Sequence, residues 1–329
     1  MRYIIYGAGG IGCTIGGHLF RTGHEVALVG NAEHMSAIEE KGLTFATGDG
    51  VYTLEIPAFK TAEELAPFRE DDVVLLCAKS QHTVRCLGQL KNAGASRSLP
   101  ILCCQNTIWN ESVATRMFDR VYGVLIVVPA VFLNPGEVIN PLARRAGFIE
   151  VGCYPSGSDR LCEKVVEDLE ESSFSAQVNN EVMKGKGAKC LGNLGNALQA
   201  ITDGKGDSAA FMEQVRQEAE GVWAVAGIEW EGREEFNERR KGLYGDAKKP
   251  EGFEEVKSGG SSWQSLARGV GTIEAEQLNG DVVKLGAFVQ IETPYNKLLW
   301  RLATEMAENN EPPGKFSADD LMAMIGHDD

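Results

Sequence analysis

The chain is short of the features that would direct it to a membrane, a nucleic acid or an oxidising compartment. Lysine and arginine number 32 against 47 acidic residues, a formal net charge of -15. A polyanion meets like charge over such a surface, which excludes nucleic acid and anionic bilayers as general partners. No apolar run approaches the ~18 residues of a spanning helix. The opening MRYIIYGAGG lacks the basic segment, apolar stretch and cleavage site of a secretory signal. The expected location is therefore the cytoplasm. Cys13, Cys77, Cys86, Cys103, Cys104, Cys153, Cys162 and Cys190 include no Cys-x-x-Cys pair, and the histidines form no cluster at zinc spacing. Reduced thiols and no metal are expected.

What remains is the make-up of a globular protein long enough for two ordinary domains: 329 residues, 43% hydrophobic and 24% charged. The N-terminal half alternates short apolar runs with helical patterns. Tyr3 to Tyr6, Glu25 to Val29, Val73 to Cys77 and Ile101 to Cys103 read as buried strands, so a parallel sheet covered on both faces is expected. A hairpin is expected from Leu43 to Ile56, turning at Gly48-Asp49-Gly50. Two apolar runs between Val121 and Val151, separated by Asn134-Pro135-Gly136, predict an antiparallel end to the sheet.

Beyond Glu181 strand signals nearly stop, and helices are expected at Glu181 to Thr202, Phe211 to Ala226, and from Ser261 or Ser262, Thr272 and Thr293-Pro294. The predicted fold is α/β: a Rossmann-type doubly wound sheet in residues 1–181, then an all-helical domain in 182–329. The charged, glycine-bearing stretch 233–260 reads as a helix end followed by a mobile connection.

Gly7-Ala8-Gly9-Gly10-Ile11-Gly12 follows a strand and opens a helix. In a dinucleotide-binding turn the first glycine permits the tight bend, the second lets the backbone approach a pyrophosphate, and the third allows close helix packing. The anion then lies on the helix N-terminus. The second strand ends in Val29-Gly30-Asn31-Ala32-Glu33-His34, with neither the carboxylate usual for NAD nor an arginine for a 2′-phosphate. Glu33 is a candidate for a ribose contact and His34 for a phosphate contact; both are equally readable as loop residues.

Lys189, Asn193 and Asn196 fall on one stripe at about 100° per residue. Such a stripe reads as a solvated face or a site. Hydride reduction of a ketone needs a proton donor or positive charge at the carbonyl oxygen, which a lysine supplies, and asparagines can hold a substrate hydroxyl or carbonyl. Glu274 and Glu276 read as first-turn complements to a helix dipole or as carboxylates supporting Lys189. Ser262 reads as a cap or as a donor to a substrate carboxylate.

Together GAGGIG, Lys79-Ser80-Gln81, Gln105-Asn106, Lys189 with Asn193, and Ser262 to Gly280 resemble the ketopantoate reductase family over nearly the whole chain. The resemblance implies reduction of a small 2-keto acid to the 2-hydroxy acid, with NADPH as cofactor and NAD as the alternative. It implies Lys189 as proton donor, Glu274 as its supporting acid and Ser262 as the substrate-carboxylate contact. Asn193 and Asn196 become substrate-binding positions, the latter one place nearer the lysine than in the best-known members. Lys79 and Asn106 would line the nicotinamide side. Two departures stand out. Thr107 replaces the family's glycine, so its side chain is expected to intrude near nicotinamide or substrate, and Asn31 stands where the family has arginine. A β-hydroxyacid-type dehydrogenase, whose Gly-x-x-x-Lys-x-x-x-Asn helix Gly185 to Asn193 mimics, is the enzymatic alternative; a catalytically inactive dinucleotide sensor is the other. Base rates for soluble oligomers favour a homodimer.

Overall fold

The structure, a computed structural model, describes residues 1–256 and 259–325. Packing divides the chain into two units, Met1–Lys186 with Gly232–Val256, and Gly187–Glu231 with the chain beyond residue 256.

The first unit opens with β1 (Arg2–Tyr6), α1 (Gly10–Arg21), β2 (Glu25–Val29), α2 (Ala32–Lys41), β3 (Leu43–Thr47), β4 (Gly50–Leu54), β5 (Ala58–Phe59), α3 (Ala62–Leu65) and β6 (Asp72–Leu76). It continues through α4 (Thr83–Asn92), β7 (Ile101–Cys103), α5 (Asn110–Ala114), β8 (Val121–Val127), β9 (Glu137–Asn140), β10 (Leu142–Ala143), β11 (Phe148–Cys153), α6 (Arg160–Glu171) and β12 (Ser175–Val178). The main sheet has the order β12-β11-β8-β7-β6-β1-β2-β5. From β5 to β8 every neighbouring pair is parallel. In chain order these six strands lie 3-2-1-4-5-6, the Rossmann arrangement. Alternate side chains of β1 enter two cores, Tyr3 and Ile5 with residues of α1 and α6, and Ile4 and Tyr6 with residues of α3, α4 and α5. Both faces are therefore wound, as the continuous apolar runs predict.

The hairpin forms as expected, β3 pairing antiparallel with β4 up to Thr47 and Gly50. It leaves the main sheet. β8 and β11 are antiparallel neighbours, but Asn134-Pro135-Gly136 is not the turn between them. It leads into β9, which pairs in parallel with β3 and completes a separate three-stranded sheet. The free edge of β3 explains the detour: pairing it satisfies its main-chain groups and buries Val138 and Ile139.

Within the stretch read as a mobile connection, the described residues up to Val256 are anchored rather than free. After α7 (Val182–Asn193), α8 (Gly195–Thr202) and α9 (Ala209–Ala226), the chain forms α10 (Arg233–Arg239) and β13 (Asp246–Ala247). Arg239 ion-pairs with buried Glu150, β13 pairs with β10, and Phe253 and Val256 pack against Ala46, Val131 and Ile139. Residues 257 and 258 lie outside the described residues.

The second unit holds α8, α9, α11 (Ser261–Ala267), α12 (Asp281–Val289), α13 (Pro294–Glu308) and α14 (Ala318–Ile325), with no strand among the described residues. Two expected helices are modified. The one predicted from Glu181 to Thr202 is divided at Leu194 into α7 and α8, and the one predicted from Thr272 begins as a π turn, Glu276–Gly280, running directly into α12. There the Gly280 N–H reaches back five residues to the Ala275 carbonyl at 2.9 Å. No described helix is long and apolar enough to cross a membrane.

Candidate functional site

The glycine-rich turn joins β1 to α1 at the carboxyl edge of the sheet. Gly7 has φ +97, and a β-carbon there would lie 2.2 Å from the Ala78 nitrogen. Only glycine tolerates both demands. At Gly12 a β-carbon would meet the Gly7 carbonyl at 2.7 Å and Ile5 at 2.8 Å, so this glycine lets α1 lie directly on β1. Gly9 is different: the nearest atom, on Phe132, is 3.9 Å away. The space above Gly9 is thus open, as backbone approach by a ligand requires. The first helix-type bond of α1 runs from the Cys13 N–H to the Gly9 carbonyl at 2.8 Å, and the first turn carries no acidic side chain. The N–H groups of Gly10, Ile11 and Gly12 precede that bond and point out of the helix start, together with the positive end of its dipole. The N–H groups of Gly10, Ile11 and Gly12 therefore fit a pyrophosphate, whereas those of Gly7 and Ala8 are spent on the Val29 carbonyl at 2.8 and 2.9 Å and that of Gly9 on the Gly7 carbonyl at 2.8 Å, so these three shape the turn.

At the end of β2, Asn31 is exposed and caps α2, its side-chain oxygen accepting the Glu33 N–H at 2.9 Å. His34 is not a phosphate ligand in this arrangement. It is 2% exposed, its Nδ1 accepts the Gly136 N–H at 2.7 Å, and its Nε2 lies 3.3 Å from the Cys13 sulfur. An accepting Nδ1 places the proton on Nε2, so the ring is neutral and serves to hold the β9 entrance against α1.

Lys79 and Asn106 follow β6 and β7 and so share the carboxyl edge with the glycine turn; both are partly exposed. Thr107, between them and α5, does not project into open space. It is 1% exposed and its hydroxyl accepts from Asn110 Nδ2 at 2.7 Å. Asn110 in turn accepts from Thr83 at 2.7 Å, and Thr83 accepts from Gln105 at 2.6 Å. The expected intrusion is replaced by an inward polar network that fixes the loop carrying Asn106.

Three lysines lie along α7. Lys184 pairs with Glu181 at 2.8 Å. Lys186 is 2% exposed, its ammonium 2.5 Å from Glu111 and 2.8 Å from the Cys103 carbonyl, so its charge is consumed within the first unit. Burial pushes the Glu111 carboxyl up, with Lys186 opposing. Lys189 is partly exposed.

Asn193 ends α7 and Asn196 lies in the first turn of α8, so the break at Leu194 divides the expected stripe. Asn196 stands beside the start of α11: a β-carbon on Gly260 would lie 3.4 Å from its side-chain oxygen. Ser262 is 1% exposed in the first turn of α11, and neither its hydroxyl nor the buried amide nitrogen of Asn193 has a hydrogen-bond partner among the described residues. Glu274 is buried just before the π turn, whereas Glu276 is exposed and pairs with Lys284 at 2.9 Å. Of the two carboxylates, Glu274 is therefore the buried one and Glu276 is held by Lys284 at the surface. Two residues that sequence reasoning missed, Asn296 and Glu218, also appear: with Asn279 they form a buried polar chain in this unit. Their separations in sequence left no local pattern to detect.

Comparison with known proteins gives two family matches, ketopantoate reductase PanE/ApbA over residues 3–156 and ketopantoate reductase PanE/ApbA C terminal over residues 181–307. A 2-dehydropantoate 2-reductase of Pyrococcus horikoshii is 28% identical over 305 residues, 92% of this chain and 96% of that one. The crystal structure of a PanE/ApbA family ketopantoate reductase from Ralstonia eutropha has TM-score 0.77 at 25% identity, covering 94% of this chain and 99% of the other. D-mandelate dehydrogenase, solved with NADH and anilino(oxo)acetate, shares the fold with TM-score 0.79 at 23% identity, covering 94% and 99%.

Proposed function

The chain belongs to the ketopantoate reductase family and is an NAD(P)-dependent oxidoreductase, and from that premise we propose that it reduces a small 2-keto acid to the 2-hydroxy acid with Lys189 as proton donor. In this reading residues 1–181 bind the dinucleotide, NADPH first and NADH as the alternative, and residues 182–329 handle the substrate. The partner is that small molecule, the location cytoplasmic and the assembly a homodimer.

The observation that carries the reading is a pair of buried polar atoms, Asn193 Nδ2 and Ser262 Oγ, that have no hydrogen-bond partner among the described residues. A buried donor without an acceptor costs ~1–3 kcal/mol. A substrate carboxylate and hydroxyl would restore those bonds. Lys189 then holds a proton for the carbonyl oxygen, and Glu274 keeps the ammonium charged and oriented. Asn193 and Asn196 fix the carbonyl and Ser262 the carboxylate. The N–H groups of Gly10 to Gly12 hold the pyrophosphate over the turn that Gly7, Ala8 and Gly9 shape, Asn31 faces the adenosine ribose, and Lys79 and Asn106 face the nicotinamide. When bound, the nicotinamide supplies the hydride.

The test is titration with NADPH and NADH followed by ketopantoate and a panel of other 2-keto acids. Lys189→Ala is expected to lower kcat by about 10²–10⁴ with cofactor affinity unchanged. Unchanged turnover would remove Lys189 from the mechanism, and binding without oxidation across the panel would remove the reductase reading.

A further inference from the structure

The buried polar chain of the second unit is not used by any role assigned so far. Glu218 on α9 accepts the backbone N–H groups of Tyr295 and Asn296 at 2.9 Å each, and the Asn296 side-chain amide at 2.8 Å. That amide also donates to the Val215 carbonyl at 2.9 Å, while its oxygen accepts from Asn279 Nδ2 at 3.0 Å. The second hydrogen of Asn279 Nδ2 goes to the Leu194 carbonyl at 3.2 Å. Asn279 and Asn296 are both fully buried.

Leu194 is the residue at which α7 passes into α8, with Asn193 before it and Asn196 two places after. Asn279 lies in the π turn, and Glu274 stands two residues before that turn and is bonded into it, its carbonyl accepting the Gln277 and Leu278 N–H groups at 3.1 Å. One side-chain nitrogen therefore ties the junction bearing the two proposed substrate asparagines to the turn whose backbone is bonded to the proposed supporting acid. A π turn costs regular helix bonding and is found mostly at functional sites. Here it has a definite consequence: it brings Asn279 inward between α13 and the junction. Gly280 permits this, since a β-carbon there would lie 3.0 Å from the Trp300 ring.

We propose that Asn279 is a positioning residue for carbonyl reduction, holding Asn193, Asn196 and Glu274 in one fixed geometry without touching substrate. The proposal rests on the roles given to those three residues above. It has a strict chemical requirement, because both contacts of Nδ2 are to carbonyl-type acceptors and only a group with two hydrogens on one atom serves both. Aspartate is nearly isosteric but turns that donor into an acceptor facing two acceptors. Alanine removes the clamp and leaves both acceptors buried.

The experiment compares wild type with Asn279→Asp, Asn279→Ala and the milder Asn279→Ser, which keeps one donor should the others fail to fold. Three quantities are read: amide hydrogen exchange over residues 187–202, NADPH affinity by fluorescence titration, and kcat and KM for the 2-keto acid that wild type reduces. Exchange around Leu194 is expected to quicken at least tenfold and kcat to fall about 10–100-fold, since a displacement on the order of 1 Å costs up to that much. KM should change less, and NADPH affinity by under twofold. Unchanged exchange, or faster exchange with unchanged kcat, overturns the proposal. A wild type that reduces no acid in the panel refutes the reading of the site instead, and the two failures are distinguishable because the exchange comparison needs no turnover.

Discussion

In the first unit the candidate cofactor residues act through main chain. Gly7, Gly9 and Gly12 are selected for what a side chain would obstruct, and the groups offered to a ligand are N–H bonds at the start of α1. In the second unit the candidate residues offer side chains, Ser262 and Glu274 buried and Lys189, Asn193 and Asn196 partly exposed, and the junction carrying the asparagines is held by a buried side chain of the π turn that is itself held by α13 and α9. The first kind of site is specified by six consecutive residues. The second requires separated segments to arrive together, so its precision depends on packing.

The sharpest way to break this comparison is within the glycine turn. Gly7→Ala combines positive φ with a 2.2 Å approach to the Ala78 nitrogen, and expulsion of β6's continuation should destabilise the protein by several kcal/mol and abolish NADPH binding together. Gly9→Ala meets nothing closer than 3.9 Å, so thermal unfolding should be nearly unchanged while affinity falls by ~tenfold, about 1.4 kcal/mol. Equal losses of stability at both positions would show that the turn is only a packing device.

Ser262→Ala asks the corresponding question of the second unit. Its hydroxyl is buried without a partner, so removing it should leave Tm unchanged or slightly raised. If the hydroxyl serves a substrate carboxylate, KM for the keto acid rises ~10-fold or more, the value of a bond to a charged group. A lower Tm with unchanged KM would return Ser262 to a structural role.

These contrasts also mark what was legible in the sequence. The six-residue turn could be read because its constraints are local, and the strands because both faces of a parallel sheet are buried and leave unbroken apolar runs. Asn31, Lys79 and Asn106 could be placed at strand ends without knowing any partner. The partnership of Lys186 with Glu111 spans 75 positions and that of Asn279 with Leu194 spans 85; no periodicity encodes either. The same limit hid β9's pairing with β3, and it made Thr107 look like an obstruction. Its hydroxyl is directed inward by Asn110 and Ser80, which a list of consecutive residues does not reveal.

Thr107→Gly turns that last point into a measurement. Loss of the hydroxyl leaves Asn110 short of an acceptor, for a cost of ~1–3 kcal/mol read by chemical denaturation. The order of preference among keto acids should stay as it is. A changed preference would mean that the side chain shapes the substrate space after all.

The smallest expected effect concerns pH, and it separates the units because it arises in the first. His18 on α1 is wedged between Phe45 and Phe174, with ring centroids 4.9 and 5.2 Å away. Burial, aided by Arg21, lowers its pKa to about 4, with the neighbouring Asn140 side chain favouring the charged ring and so opposing the shift. An unfolded histidine takes up a proton near pH 6.5 that the folded one refuses until about 4. The unfolded state thus binds more protons across that window, and stability is lost as pH falls through it. Between pH 7 and 5.5 the loss should be about 1 kcal/mol, and a non-titrating His18→Gln variant should lack it. Denaturant unfolding of both proteins at the two pH values, compared as a double difference, isolates this residue from the other groups that titrate; parallel curves would mean that His18 titrates alike in the folded and unfolded states and that burial does not hold its proton off.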